Sequence, residues 1–510
     1  MGTDAVGESR DRSHADTAHD ERAVSLRSVA DGASLHYLGT ILITLAGFLI
    51  TLVLTRTLGA GTYGIYAYGT MIVTGVLTFA HLGADVSVTR YLSANRREAA
   101  VQRRMLGLSY ATSIAGSLVV AIVLFGFADP INAATIDEPA FTTALQLFAI
   151  AVPCQALAHL AANTFRGLER PVGQTVVNVA TPVFQLVCIV LAVLAGFSLA
   201  GIVAAYVLAS LLAACFGIWI ARTRTRIRPT LQGVRGDVLG YVNYSVPLAF
   251  SKASSFLFKR VDVFMVGILL GATEVGIYSV AVLLATAIAM PLGGINQLFP
   301  PVASRLHSNG AYGALESVYR TVTRWSISAS LVVALPLLVY RSEVLAVFGP
   351  EFVAGSVVVV LFVFGQLCNA AAGPANDVLT MTDHQYVVLV NHTAFGVLNV
   401  VLNYVLILQF GLAGAAVATA GVLAALNVVR ALEVWYLEGL LGYSVAVCKP
   451  MVATAVSGTV LVAMGLFLDG FVLLVVGPAA GVLAFVAVLY ALGIEAEDRQ
   501  LIRQYREVAS

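Results

Sequence analysis

Fourteen apolar runs follow one another along this chain, each close to the length that carries a helix across a bilayer. Their approximate limits are 36–58, 63–87, 105–127, 141–164, 172–196, 199–221, 246–270, 275–299, 322–340, 353–375, 385–408, 412–434, 451–468 and 471–494. Turns of Gly, Pro, Asp or Arg separate most of them. The lengths predict an all-α membrane protein of 14 transmembrane helices. Composition agrees, since 59% of the 510 residues are hydrophobic and 11% charged, against about 25% charged in soluble chains. A soluble enzyme of several domains is excluded, and so is a disordered chain. With 29 basic and 28 acidic residues, no excess charge invites nucleic acid.

Residues 1–33 are polar and of mixed charge, and read as a disordered cytoplasmic tail. The apolar run that follows is too long and too late for a signal peptide. Residues 495–510 alternate charge with Leu501, Ile502, Tyr505 and Val508, as a short helix on the cytoplasmic surface does. Cys154, Cys188, Cys215, Cys368 and Cys448 show no metal or redox spacing, so neither a disulfide, a metal nor a cofactor is expected.

Cytoplasmic loops retain Lys and Arg. One alternate set of loops holds Arg90, Arg96, Arg97, Arg103, Arg104, Arg166, Arg170, Arg222, Arg224, Arg226, Arg228, Arg235, Arg305, Arg320 and Arg324. The other holds Arg56 and Arg341 against Asp129, Asp137, Glu138, Glu274, Glu343, Glu351 and Asp469. Both termini are therefore expected in the cytoplasm of a multi-pass cell-membrane protein.

The chain also repeats itself. Leu58-Gly-Ala-Gly-Thr-Tyr-Gly-Ile-Tyr66 matches Leu270-Gly-Ala-Thr-Glu-Val-Gly-Ile-Tyr278 at six of nine positions, 212 residues apart. Phe197-Ser-Leu-Ala-Gly201 matches Phe410-Gly-Leu-Ala-Gly414, and Val177-Asn178 matches Val390-Asn391, both 213 apart. Each unit holds six spans, an even number, so the halves are parallel and related by an axis along the membrane normal. The expected organisation is a lobe over 34–235, a second over 236–440, two additional helices over 441–494, and the two tails.

At this point the residues resemble a known family. Arg56-Thr-Leu-Gly-Ala-Gly-Thr-Tyr-Gly-Ile-Tyr66, His81-Leu-Gly-Ala-Asp85 and Arg90-Tyr91 look like the opening of the polysaccharide-transport branch of the MATE-like (MOP) superfamily, the Wzx-type flippases. Phe165-Arg-Gly-Leu-Glu-Arg170, Ser245-Val-Pro-Leu248, Arg260-Val-Asp262, Gly276-Ile-Tyr278 and Phe299-Pro-Pro301 are similar to it too. The resemblance implies two six-helix bundles around a V-shaped cavity that opens alternately to each side. It also implies a cargo of oligosaccharide on a polyprenyl phosphate or diphosphate, moved to the outer leaflet for envelope polysaccharide or glycoprotein synthesis. Membrane lipid, and the glycosyltransferases or polymerase of the same pathway, are the implied partners.

Ionisable groups at membrane depth are costly unless they face protein or water. The seventh span carries Lys252, Lys259, Arg260 and Asp262, two of them among only three lysines in the chain. Lys259 lies about 17 Å from the turn at Leu270 at 1.5 Å per residue, near the midplane. Lys252 and Lys259 share a face, and Asp262 stands three residues on from Lys259. Lys252, Lys259 and Arg260 are predicted to bind the cargo's phosphate, with Asp262 as internal counter-ion; the plainer reading is an Arg260–Asp262 or Lys259–Asp262 pair that locks two helices.

Thr40, Thr44, Thr51 and Thr55 fall on one arc of the first span, as sugar-binding hydroxyls or as ordinary back-bonding threonines. Gln155, His159, Asn163 and Arg166 share a face of the fourth, as a cytoplasmic sugar entry or as interhelical hydrogen bonds. Asp85 and Arg90 are an inner-gate pair or an interfacial charge pair, and His81 a proton-coupling or packing group. A membrane glycan polymerase needs a loop with paired carboxylates, which the longest outer loop, about 129–140, lacks. A small-cation exporter of the same superfamily is the remaining alternative.

Overall fold

The computed structural model describes the backbone of residues 5–225, 227–493 and 495, and side chains from residue 38 onward apart from 226, 250–251, 253–259, 292, 294–298 and 494. The described residues form helices and turns. In chain order the helices are α1 (Ala5–Ala80), α2 (Ala84–Ala94), α3 (Ala99–Gly126), α4 (Ala128–Ala133), α5 (Pro139–Gly167), α6 (Pro171–Leu194), α7 (Leu199–Arg224) and α8 (Val238–Leu269). They continue with α9 (Ala272–Ser308), α10 (Tyr312–Val339), α11 (Arg341–Phe348), α12 (Ser356–Ala372), α13 (Ala375–Met381), α14 (Gln385–Glu438), α15 (Cys448–Phe467) and α16 (Gly470–Ala491). Among the described residues eleven helices are long and apolar enough to cross a membrane.

The side chains of the expected N-terminal tail, 1–33, and all of the C-terminal tail beyond Glu495 lie outside the described residues; the backbone of α1 is drawn as helix from Ala5. Two elements are longer than any single crossing. α1 bends at Gly59, whose φ of 73° is left-handed, and α14 bends at Gly411 (φ 57°). The second span also stops earlier than its apolar run, because Leu82 (φ 46°) and Gly83 (φ 76°) turn the chain into α2.

Burial is inverted relative to a soluble protein. Ile122, Leu194, Leu466 and Phe471 are 70–80% exposed, while Ser109, Ser113, Ser210, Thr323 and Asn403 are completely buried. Lipid takes the place of water around the helices, so apolar side chains cover the outside as well as the core, and polar groups are taken inward.

Two compact units are resolved. The first comprises residues 1–50, 72–128 and 143–254. Its core stacks Ala84, Val88 and Leu92 of α2 on Leu106 of α3 and Leu160 of α5, with Phe165, Val177 and Ala221 joining α5, α6 and α7. The opening turns of α8 belong here: Tyr241 packs on Met105 and Leu108, and Arg104 holds Asp237 at 2.8 Å.

The second unit comprises residues 51–71, 129–142 and 255–510. Its core joins Phe299 and Ala303 of α9 to Leu315 and Tyr319 of α10, Val378 and Leu379 of α13, and Val434 of α14. α15 and α16 dock on α10, where the Tyr340 hydroxyl donates to the Leu461 carbonyl at 2.6 Å. The repeated Gly-Ile-Tyr segments meet in this unit. A Cβ on Gly64 would overlap the Ala272 carbonyl, and one on Gly276 the Ala60 carbonyl, so the two helices cross backbone to backbone. Beside the crossing, the Ala60 N–H freed by the bend donates to Glu351 at 2.7 Å, and Arg56 donates to the last carbonyls of α11, that of Ala346 at 3.2 Å.

Gly276→Val is therefore expected to lower stability by about 1–3 kcal/mol, read as a lower thermal midpoint in detergent. Gly313→Ala, with open space around its Cα, leaves that midpoint unchanged.

Candidate functional site

The first unit gathers ionisable groups from three helices and the turn that follows α1. The break at Leu82–Gly83 leaves His81 just past the end of α1 and puts Asp85 in the first turn of α2, where the helix N-terminus favours a carboxylate. Gly83 meets the second requirement of that break as well: a Cβ there would overlap the Ser245 carbonyl of α8. Ser87 and Ser245 share a hydroxyl hydrogen bond, which fixes the register of α8 against α2. In that register Lys252 forms an ion pair with Asp85; the lysine side chain is 46% exposed and the carboxylate 18%.

α5 supplies His159, which is exposed, lies within electrostatic reach of both Asp85 and Lys252, and has its ring centre 6.0 Å from that of His81. His81 is buried; its Nδ1 shares a 3.1 Å hydrogen bond with Ser113 of α3, and its Nε2 has no partner among the described residues. The arrangement can do one thing a wholly buried salt bridge cannot. Its cation is half open to a ligand, and among the described residues a competing anion has one carboxylate, that of Asp85, to displace.

Several predicted residues sit elsewhere. Arg90 does not pair with Asp85: its guanidinium lies 4.0 Å over the Tyr244 ring, and Asp85 is taken by Lys252. Asp262 is buried in the second unit, where it accepts hydrogen bonds from the Tyr278 hydroxyl and the Val263 N–H, both at 2.9 Å. A phenol on α9 is thus one partner of this carboxylate. Arg260 is exposed and within electrostatic reach of Asp262. The Lys259 side chain lies outside the described residues.

Gln155 does not line an entry. It is buried and donates to Tyr206 and Ser210 of α7, because α5 and α7 pack face to face there. Asn163 donates to the His159 carbonyl of its own helix at 3.0 Å, and Arg166 is exposed in the last turn of α5. On α1, Thr44 donates to the Thr40 carbonyl, Thr51 shares a hydrogen bond with Tyr63, and Thr55 is buried and donates to Leu52.

Sequence reasoning passed over Arg430 and Glu433 of α14. Arg430 is buried with a guanidinium nitrogen 3.1 Å from His392 Nε2, and Glu433 accepts from Asn391 at 2.6 Å. The rule that singled out the seventh span, charge inside an apolar run, applies equally to the twelfth and would have found both.

The sequence model of a family described as "polysaccharide biosynthesis protein" matches residues 29–307, and that of MatE matches residues 247–405. The probable low-salt glycan biosynthesis flippase Agl15 of Haloferax volcanii is 28% identical over 280 residues, 53% of this chain. That match spans 57% of the relative's own length. Among solved structures, the lipid II flippase MurJ in an inward closed conformation superposes with a TM-score of 0.69 at 12% identity, over 91% of this chain and 99% of that one. An inward-facing multidrug resistance MATE family transporter of the MOP superfamily gives 0.65 at 13% identity, over 78% and 96%. The structural likeness establishes the fold.

Gln155→Leu is expected to destabilise the protein by about 1–3 kcal/mol, since it strips a partner from two buried hydroxyls. Asn163→Ala, which gives up a bond within one helix, should leave the thermal midpoint within error of the parent.

Proposed function

The chain belongs to the polysaccharide biosynthesis protein family, membrane flippases of the MOP superfamily, and from that premise we propose that it flips a polyprenyl-(di)phosphate-linked oligosaccharide. The direction is from the cytoplasmic to the outer leaflet of the cell membrane, by alternating access, for envelope polysaccharide or glycoprotein synthesis. The Agl15 match supports a lipid-linked glycan as cargo. The glycosyltransferases or polymerase that build and use the glycan are the partners in this reading.

Helix anatomy supports fourteen crossings in two parallel six-helix repeats with two appended helices. Leu38–Ala80 and Gln385–Glu438 are each long enough to cross twice, and α8 adds a crossing beyond the eleven helices selected by length and hydropathy. The contact of Gly64 with the repeat-related Gly276 suits halves arranged about an axis along the membrane normal. Arginines at one end and acids at the other favour cytoplasmic termini.

The observation that carries the reading is Lys252, a half-exposed cation at the flank of an apolar span whose acidic partner among the described residues is Asp85. In the proposed cycle the cargo's phosphate takes Lys252 from Asp85. That ion pair ties α8, from the second repeat, to α2, from the first, so loading releases the tie. His159 lies beside the pair and can donate to the sugar or phosphate. The MatE match over 247–405 favours a second reading, export of small cations, in which Asp85 is the binding group.

Lys252→Gln is expected to cut translocation of lipid-linked oligosaccharide about ten-fold or more at normal expression, the worth of one charge-assisted hydrogen bond. Lys252→Arg should keep most of it. Translocation at the parental rate by Lys252→Gln overturns the proposal, and efflux of organic cations that is lost in Asp85→Asn establishes the second reading.

A further inference from the structure

The second unit holds a cavity of about 480 Å³ that the flippase reading does not use. It is lined on one side by Glu316, Arg320 and Arg324, which succeed one another at four-residue spacing along one face of α10, and on the other by Lys449 of α15 and by Glu495. Among the described residues three cations and two carboxylates line it, and the hydroxyl-bearing Ser317, Thr321 and Ser444 also line the wall. Arg320 donates to Glu316 and to the Leu441 carbonyl, and Lys449 to Glu495 and the Gly493 carbonyl, so the charges are held in place around the space.

A second cavity, of about 300 Å³, adjoins the first through shared Arg324, Ala446, Lys449 and Glu495. Its further wall is mostly apolar, with Trp325, Pro450, Val486, Leu489 and Tyr490 beside Ser328. The pair of cavities therefore runs from a cationic, hydroxyl-rich chamber into a greasy slot between α10, α15 and α16, flanked by a Trp and a Tyr of the kind that sit at headgroup level. Water-soluble anions have no use for the slot, and hydrocarbon has no use for the chamber. A molecule with a phosphodiester at one end and an acyl or isoprenoid chain at the other fits both.

We propose that this is a binding site for an anionic membrane phospholipid, its phosphodiester among Arg320, Arg324 and Lys449 and the start of one chain against Val486 and Tyr490. α15 and α16 stand outside the internal repeat, and the site explains what they contribute, since together they clamp a lipid of the surrounding bilayer against α10. The occupant is a resident lipid, distinct from the transported glycan.

Native mass spectrometry of the full chain in detergent, titrated with phosphatidylglycerol, phosphatidylcholine, polyprenyl phosphate or inorganic phosphate, tests this. Phosphatidylglycerol adducts should survive activation that strips phosphatidylcholine, and should raise the thermal midpoint. Arg320→Gln and Lys449→Gln should each weaken retention roughly five-fold. Val486→Trp, which fills the slot and keeps every charge, should weaken it too, so a folding defect in a charge variant does not leave the matter open. Equal retention of phosphatidylcholine, unchanged retention in Val486→Trp, preference for polyprenyl phosphate, or the same thermal shift from inorganic phosphate overturns the proposal. Translocation abolished by Lys252→Gln with lipid retention intact separates this site from the transport reading.

Discussion

A bilayer offers no solvent to a stray charge, and most of what distinguishes this chain follows from how it houses its few ionisable groups. Each one traced within a helix has been given a different answer. Asp85 receives a lysine, Asp262 a phenol and a backbone N–H, Arg430 an imidazole, and Arg90 an aromatic face. The first of these leaves a lysine half exposed beside its carboxylate, where a ligand can reach it. Housing of this kind is structural in most instances, and its incomplete instance is where binding is to be sought.

Much of the architecture was legible because it is written locally. A run of twenty apolar residues means a crossing whatever its neighbours do, and the glycines that bend α1 and α14 stand in the sequence as breaks between runs. The candidate site was legible only in its membership. Asp85, His159 and Lys252 could each be picked out as polar groups in apolar surroundings, yet their meeting depends on α8 lying against α2 across 167 residues of chain. Helix geometry put Asp262 within reach of the lysine three residues away, whose side chain lies outside the described residues. The Tyr278 hydroxyl, on the next helix, was out of reach of that reasoning. Arg430 and Glu433 were legible and missed, although they break the same rule of apolar spans that the seventh span breaks.

The ion pair of Asp85 and Lys252 gives the proposed cycle its thermodynamic form. In that cycle one lysine both joins α8 to α2 and is to receive the anion, so anion binding and the contact with Asp85 compete for a single group. Competition of that sort is reciprocal: whatever favours that contact weakens the anion to the same extent. The serine pair beside it, Ser87 with Ser245, is neutral and loses less on parting, which leaves the lysine as the group whose partner decides the state.

The crossing at Gly64 and Gly276 has a mechanical consequence. Helices that interlock through side chains must lift knobs out of holes before they can turn, and each such step meets a barrier of rotamers and transient voids. Here the two backbones rest on each other with no side chain between them at the point of contact. A side chain added at either glycine would put such an obstacle at the point where the two backbones touch.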